Sequence, residues 1–275
     1  MVTAIDVQDI FTEDYRIKNV PKDCVAITAS AIRCERWLDL FEHFISTNEH
    51  NLIFIFCGNI KPDFELPDNF FYVFSEQNPA TCNEICLRLA QSIPEVKYIM
   101  TIADDCYFSE NVVDVLVSEI SKHQDELIEI GIGFWGDAVD NLQEPLPLKY
   151  HNHDDGSYDL TICGMRTKTT CKKVGSIDKR FKGQYWDVDR TLRLLALGGK
   201  IKSIEHLRIT EMESSHDGTS TDSHLLGWRF YNHDRPLLDS LWTLDRRGGK
   251  CSDFRMDSLQ EYEDAELLGE IQINE

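Results

Sequence analysis

"YIMTIADDCYFSENVVDVLV", residues 98–117, runs from a short apolar segment through two adjacent aspartates into an amphipathic segment. The apolar part, 97–103, has the length and content of a buried strand. Asp104 and Asp105 end it. Val112, Val113, Leu116, Val117 and Ile120 then recur at helical spacing, with Ser109 as the expected N-cap. The paired carboxylates have two readings. They cap the following helix and face the positive end of its dipole, or they meet a ligand at the carboxyl end of a strand, where open α/β sheets bind theirs.

The segments on either side show what surrounds this strand. "CVAITAS" (24–30), "NLIFIFCGN" (51–59) and "NFFYVFS" (69–75) have strand character. Between them lie helical patterns, one built on Trp37, Leu40, Phe41, Phe44 and Ile45. Another follows Pro79 and is built on Ile85, Cys86, Leu89, Ala90 and Ile93. Strands alternating with helices predict an α/β fold with a mostly parallel, doubly wound sheet. Further on, "EIGIGFWGD" (129–137) and "SYDLTICGMRTK" are expected as strands, and a helix from about Asp187 to Leu197 ends at Gly198–Gly199. The expected organisation is an arm at 1–22, a domain at 23–220 with halves 23–122 and 123–220, and an extension at 221–275. The acidic end of that extension is open between a solvated helix and a frayed tail.

A net charge of −20 over 275 residues argues against gripping a nucleic-acid backbone or an anionic membrane. It does not exclude a small phosphorylated ligand, because one cation inverts the field locally. The nine cysteines show no metal-clip spacing, and Cys82 with Cys86 fits two small buried side chains on one helix face. Reduced thiols, no leader segment and apolar runs far short of ~20 residues predict a soluble, cytoplasmic protein.

The order "TIADDCYFSENVVDVLV", "ICGMRTKTTCKKVGSIDKRF", "YWDVDRTLRLLALGGKI" resembles the nucleotide-sugar-dependent glycosyltransferases of the GT-A fold, over roughly residues 22–220. The closest resemblance is to their large inverting, family 2-like group. It implies a divalent cation, Mn²⁺ or Mg²⁺, held by Asp105 and by a late histidine, best matched by His216. It places Asp104 beside the donor diphosphate or ribose, and Thr28, Ala29, Ser30, Arg33 and Asn83 around the nucleotide. Asp187 takes the position of the catalytic base, with Gly164, Met165, Tyr185 and Trp186 on the sugar and acceptor side. Two positions depart from the pattern: Ala103 stands where an aspartate is common, and Trp186 where a glutamate is. Asp189 and Arg193, four apart on the same helix, are placed to pair. The implied donor is a UDP-sugar, with GDP- and dTDP-sugars as alternatives, and the acceptor a carbohydrate or other hydroxyl compound.

The residue chemistry agrees with that assignment. Sugar transfer from a diphosphate builds negative charge on the leaving group, which hard-oxygen cation sites neutralise. An inverting reaction also needs a carboxylate to take the acceptor's proton. Other histidines have plainer readings: His206 on a strand face, His224 and His233 in a distal aromatic segment that packs on the core or forms a lid. His151 and His153 with Asp154 and Asp155 fall in a polar, solvated loop. Two alternatives stand beside transfer. A glycosyltransferase-like module that binds without turnover draws support from Ala103 and Trp186. A sugar-1-phosphate nucleotidyltransferase is disfavoured because "ITASAIRCERW" lacks a glycine-rich basic loop.

Overall fold

A computed structural model describes residues 2–12, 20–137, 146–147, 163–211, 221–242 and 258–274. The expected α/β architecture is present. Buried apolar runs give strands β2 (Cys24–Ser30), β3 (Leu52–Gly58), β4 (Phe70–Phe74) and β5 (Val96–Thr101). They alternate with α2 (Trp37–Thr47) and α3 (Pro79–Ser92), while β1 (Val2–Asp6) and α1 (Val7–Thr12) precede them. Next come β6 (Cys106–Phe108), α4 (Val112–Ile120), β7 (Ile128–Asp137), β8 (Leu146–Pro147) and β9 (Gly164–Thr167). The last elements are α5 (Lys168–Val174), α6 (Trp186–Ala196), β10 (Lys200–Glu211), α7 (Thr221–Leu241) and β11 (Glu270–Asn274).

One sheet takes all the described strands, in the order β1-β11-β4-β3-β2-β5-β9-β7-β10-β6, with β8 beside β7. The block β4-β3-β2-β5 is parallel throughout. β9 runs antiparallel between β5 and β7, which leaves β7 and β10 pointing the same way as the central block. The sheet is therefore mostly parallel, with β11, β9, β8 and β6 reversed.

Alternation along the central strands explains the two faces. Ile53, Ile55 and Cys57 of β3 point into a core shared with α3, Phe181, Leu192 and Trp242. Leu52, Phe54 and Phe56 point the other way, against Trp37, Leu40 and Phe44 of α2 and the valines of α4. Such double burial requires near-continuous apolar strands, which is what "LIFIF" supplies. Cys82 and Cys86 lie in the first core with Cys57, as small buried thiols.

Two expectations change, and a third falls partly outside the described residues. Residues 2–6 and 270–274, read as part of an arm and of a solvated or frayed end, form β1 and β11, which pair antiparallel at the edge beyond β4. Ile271 of "EIQIN" is fully buried. Ser109 is not the cap of α4: its hydroxyl bonds to the backbone of Arg208 in β10. Asn48, at the end of α2, instead accepts from the N–H groups of Val113 and Asp114 at 2.8 and 3.3 Å. The strand expected over 157–168 is present as β9 only from Gly164; residues 148–162 lie outside the described set, and with them His151, His153, Asp154 and Asp155.

Candidate active site

β2 and β5 end side by side, and their carboxyl ends open onto a cleft of about 370 Å³. That lies within the ~300–1,000 Å³ common for small-molecule sites. Ser30 and Thr101–Ala103 form the strand side. Pro79 and Asn83 come from the start of α3, and Gly183–Val188 from the loop entering α6 and its first turn. Two helix N-termini, each carrying partial positive charge, thus face the strand ends.

Asn83 is nearly buried and fixes the end of β2, its Oδ1 accepting from Ser30 N at 3.1 Å and its Nδ2 donating to Pro79 O. Tyr185 enters α6 with φ 60° and ψ 0°, a left-handed conformation that is uncommon for an aromatic residue. It is held there by the ring of Tyr231 at 5.9 Å, the guanidinium of Arg235 at 5.6 Å from its centroid, and the Asp189 N–H on its carbonyl.

Asp187 follows in the first turn of α6 and lines the cleft. Burial pushes its carboxyl from 3.8 up to about 6, against the pull of the Val188 and Asp187 N–H groups. Glu129 pushes it further up and Arg166 draws it down. Those two form a buried ion pair at 2.6 Å across β7 and β9, with Thr191 of α6 bonded to both. The carboxylate at the cleft wall therefore feels the opposing charges of this buried pair.

The aspartates that end β5 sit differently from each other. Asp104 is buried, and its Oδ2 accepts from Ile32 N and Arg33 N at 2.8 Å and from Trp37 Nε1 at 3.3 Å. Its Oδ1 meets Arg33 Nη1 at 2.9 Å. Burial holds this carboxyl above its ordinary value, with Arg33 opposing. Asp105 is partly exposed, and its Oδ2 meets Arg33 Nη2 at 3.0 Å. The thiol of the buried Cys163 is pushed up to about 12 by burial and by the charges of Asp105 and Asp187.

Of the residues singled out in the sequence, the cleft gathers Ser30, Asn83, Tyr185, Trp186 and Asp187, with Ala103 between them. Arg33, Asp104 and Asp105 lie together in the clasp just described. Thr28 and Ala29 are buried in the sheet, Thr28 Oγ1 bonding to β5. Gly164 and Met165 are interior residues of β9 and do not line the cleft; at Gly164 a Cβ would stand 2.4 Å from Glu129 Oε1, so the glycine makes room for the buried pair. Asp189 and Arg193 pair at 2.9 Å, with Trp242 Nε1 on the second carboxylate oxygen. His216 lies outside the described residues.

Several contributors gave no sequence signal. Asp234 of α7 is fully buried and accepts from the N–H groups of Lys182, Gly183 and Gln184 at 2.8–3.2 Å, so it fixes the loop that walls the cleft. His233, expected in a packing or lid segment, hydrogen-bonds the same carboxylate at 2.7 Å. Glu129 and Arg166 lay in ordinary strand patterns. Among the described residues no three His, Cys, Asp or Glu side chains converge as a metal-ligand group. Of the two residues that the resemblance implies as cation ligands, Asp105 meets Arg33 and His216 lies outside the described residues.

A crystal structure of GalNAc-T7 with UDP, GalNAc and Mn²⁺ matches with a TM-score of 0.51 at 12% identity, covering 71% of this chain and 44% of that one. The fold is that of the GT-A glycosyltransferases. This chain spans less than half of the GalNAc-T7 chain, and at such low identity the likeness carries the fold alone. It does not place the chain in the inverting, family 2-like group. No protein-family model matches the sequence, and no curated protein does. Among the described residues no helix is long and apolar enough to cross a membrane.

Proposed function

We propose that this protein is a glycosyltransferase that moves a sugar from a nucleoside diphosphate to a hydroxyl acceptor, with inversion. The observation that carries the reading is Asp187: a carboxylate raised to about 6, at a helix start, in a cleft beyond the carboxyl ends of β2 and β5. A general base works best with a value near the working pH, and this one is mostly ionised at pH 7 yet more basic than a free aspartate. In the reaction the acceptor oxygen attacks the anomeric carbon, its proton passes to Asp187, and the bond to the diphosphate breaks with the electron pair leaving on phosphate oxygen.

The nucleotide is assigned to the side formed by Ser30 and Asn83, and the sugar and acceptor to the side of Tyr185 and Trp186, whose faces suit a pyranose ring. A UDP-sugar is the first donor to test, then GDP- and dTDP-sugars, with a carbohydrate or glycoconjugate as acceptor. The GalNAc-T7 structure, which contains UDP and GalNAc, supports a nucleotide sugar as the ligand class for this fold. Release of nucleoside diphosphate from a panel of these sugars, with and without oligosaccharide acceptors, tests the reading. Acceptor-dependent release supports it; no release from any donor favours a module that binds without turnover, the reading to which Ala103 in the cleft wall lends weight.

A further inference from the structure

The clasp at the end of β5 bears on how the donor's charge is met. Mg²⁺ and Mn²⁺ need several hard oxygen ligands in near-octahedral array. Asp104 is already engaged, its Oδ2 accepting from Ile32 N, Arg33 N and Trp37 Nε1 and its Oδ1 from the Arg33 guanidinium. Asp105 shares the same guanidinium through Nη2, so Arg33 bridges both carboxylates with its two terminal nitrogens. The backbone N–H of Arg33 ends on Asp104 as well, which anchors the residue at main chain and side chain together. The position where the resemblance would put a further carboxylate is Ala103, an apolar part of the cleft wall.

We infer that Arg33 is the resident countercharge of the Asp104–Asp105 pair, and that a nucleoside diphosphate binds the cleft without a divalent cation held there. This rests on the glycosyltransferase reading above. A guanidinium is always charged, is weakly hydrated, and its planar fork matches two carboxylates, so it neutralises the pair with less desolvation than a small hydrated cation. The trio then carries one net negative charge where the bare pair would carry two, and the starts of α3 and α6 face the diphosphate from the other side. The sequence departure at Ala103 and the clasp at Arg33 have a common explanation: a site that keeps the acidic pair for holding the loop after β2, not for holding a metal.

The test uses the full chain and titrates UDP, GDP and dTDP by calorimetry, once in EDTA and once with Mn²⁺. Binding of whichever nucleotide is accepted should change less than about twofold between the two conditions. Arg33→Ala should weaken that binding about tenfold or more in EDTA. Mn²⁺ should restore much of it, since the freed carboxylates then become available to a cation. Arg33→Lys keeps a positive charge and should retain part of the EDTA binding, which separates loss of charge from loss of fold. Binding by the wild type that collapses in EDTA, or Arg33→Ala binding that equals wild type in EDTA, overturns the inference while leaving the glycosyltransferase reading intact. No binding of any nucleotide under either condition overturns both.

Discussion

Asp187 is the proposed base, and its environment gives it a pH signature in two directions. The native carboxyl holds its proton more tightly than the unfolded chain does, about 6 against 3.8. Its ionisation therefore opposes folding: the stabilisation present at low pH is lost as pH rises through about 6. Asp187→Asn should be more stable than wild type at pH 7, on the order of 1–3 kcal/mol, with the difference closing below pH 4. Thermal melts across pH 4–8 check this, and an unchanged difference across that range would contradict the burial argument. In transfer, the same substitution should keep nucleotide affinity and lose about 10²–10⁴-fold in turnover. The wild-type rate should fall on the acid side with a midpoint near 6. The place of Asp187 in the cleft was legible because it stands in an ordered series of motifs. The difference between Asp104 and Asp105 was not, because the partner that separates them, Arg33, lies about seventy residues away in the chain and meets them only when β2 and β5 pair.

Among the elements, α7 and β9 hold the cleft in shape. The buried Asp234 of α7 satisfies three successive N–H groups of the loop before α6. Phe230 packs against Gly183, where a Cβ would come within 2.7 Å of its ring. Asp234→Ala leaves those donors without their acceptor and should destabilise by about 2–4 kcal/mol. It should also loosen Tyr185 and Trp186, so nucleotide binding weakens in a protein that still folds; urea unfolding with parallel UDP titration reads both effects. Intact binding would mean that the loop keeps its shape without α7. Beneath α6, removing one partner of the Glu129–Arg166 pair leaves a buried charge. Arg166→Met should therefore cost about 3–5 kcal/mol, while Glu129→Gln with Arg166→Met together should cost less than the two added. Strand and helix positions were legible from apolar spacing. Their fastenings were not: Asn48 capping α4, or Asp234 capping a loop, are contacts between segments that no local pattern records.

For the molecule as a whole, the parallel block β4-β3-β2-β5 sets the site, because its strands deliver their carboxyl ends to one side. That much followed from strands alternating with helices in the first 120 residues. The sheet's far edge did not, since β1 and β11 come from opposite ends of the chain and each is only five residues long. They are nevertheless part of the core: Ile271 is fully buried, and Ile271→Ala should lower unfolding stability by about 2–5 kcal/mol. A loss near zero in urea denaturation would detach that edge from the folded unit. The central claim is that the cleft between the ends of β2 and β5 and the start of α6 receives a nucleoside diphosphate. A crystal structure of the protein grown with saturating UDP tests it most directly. The account predicts density for the uridine beside Ser30 and Asn83, with the diphosphate running past Ala103 toward the first turn of α6; UDP bound elsewhere, or a cleft that stays empty at saturation, contradicts it.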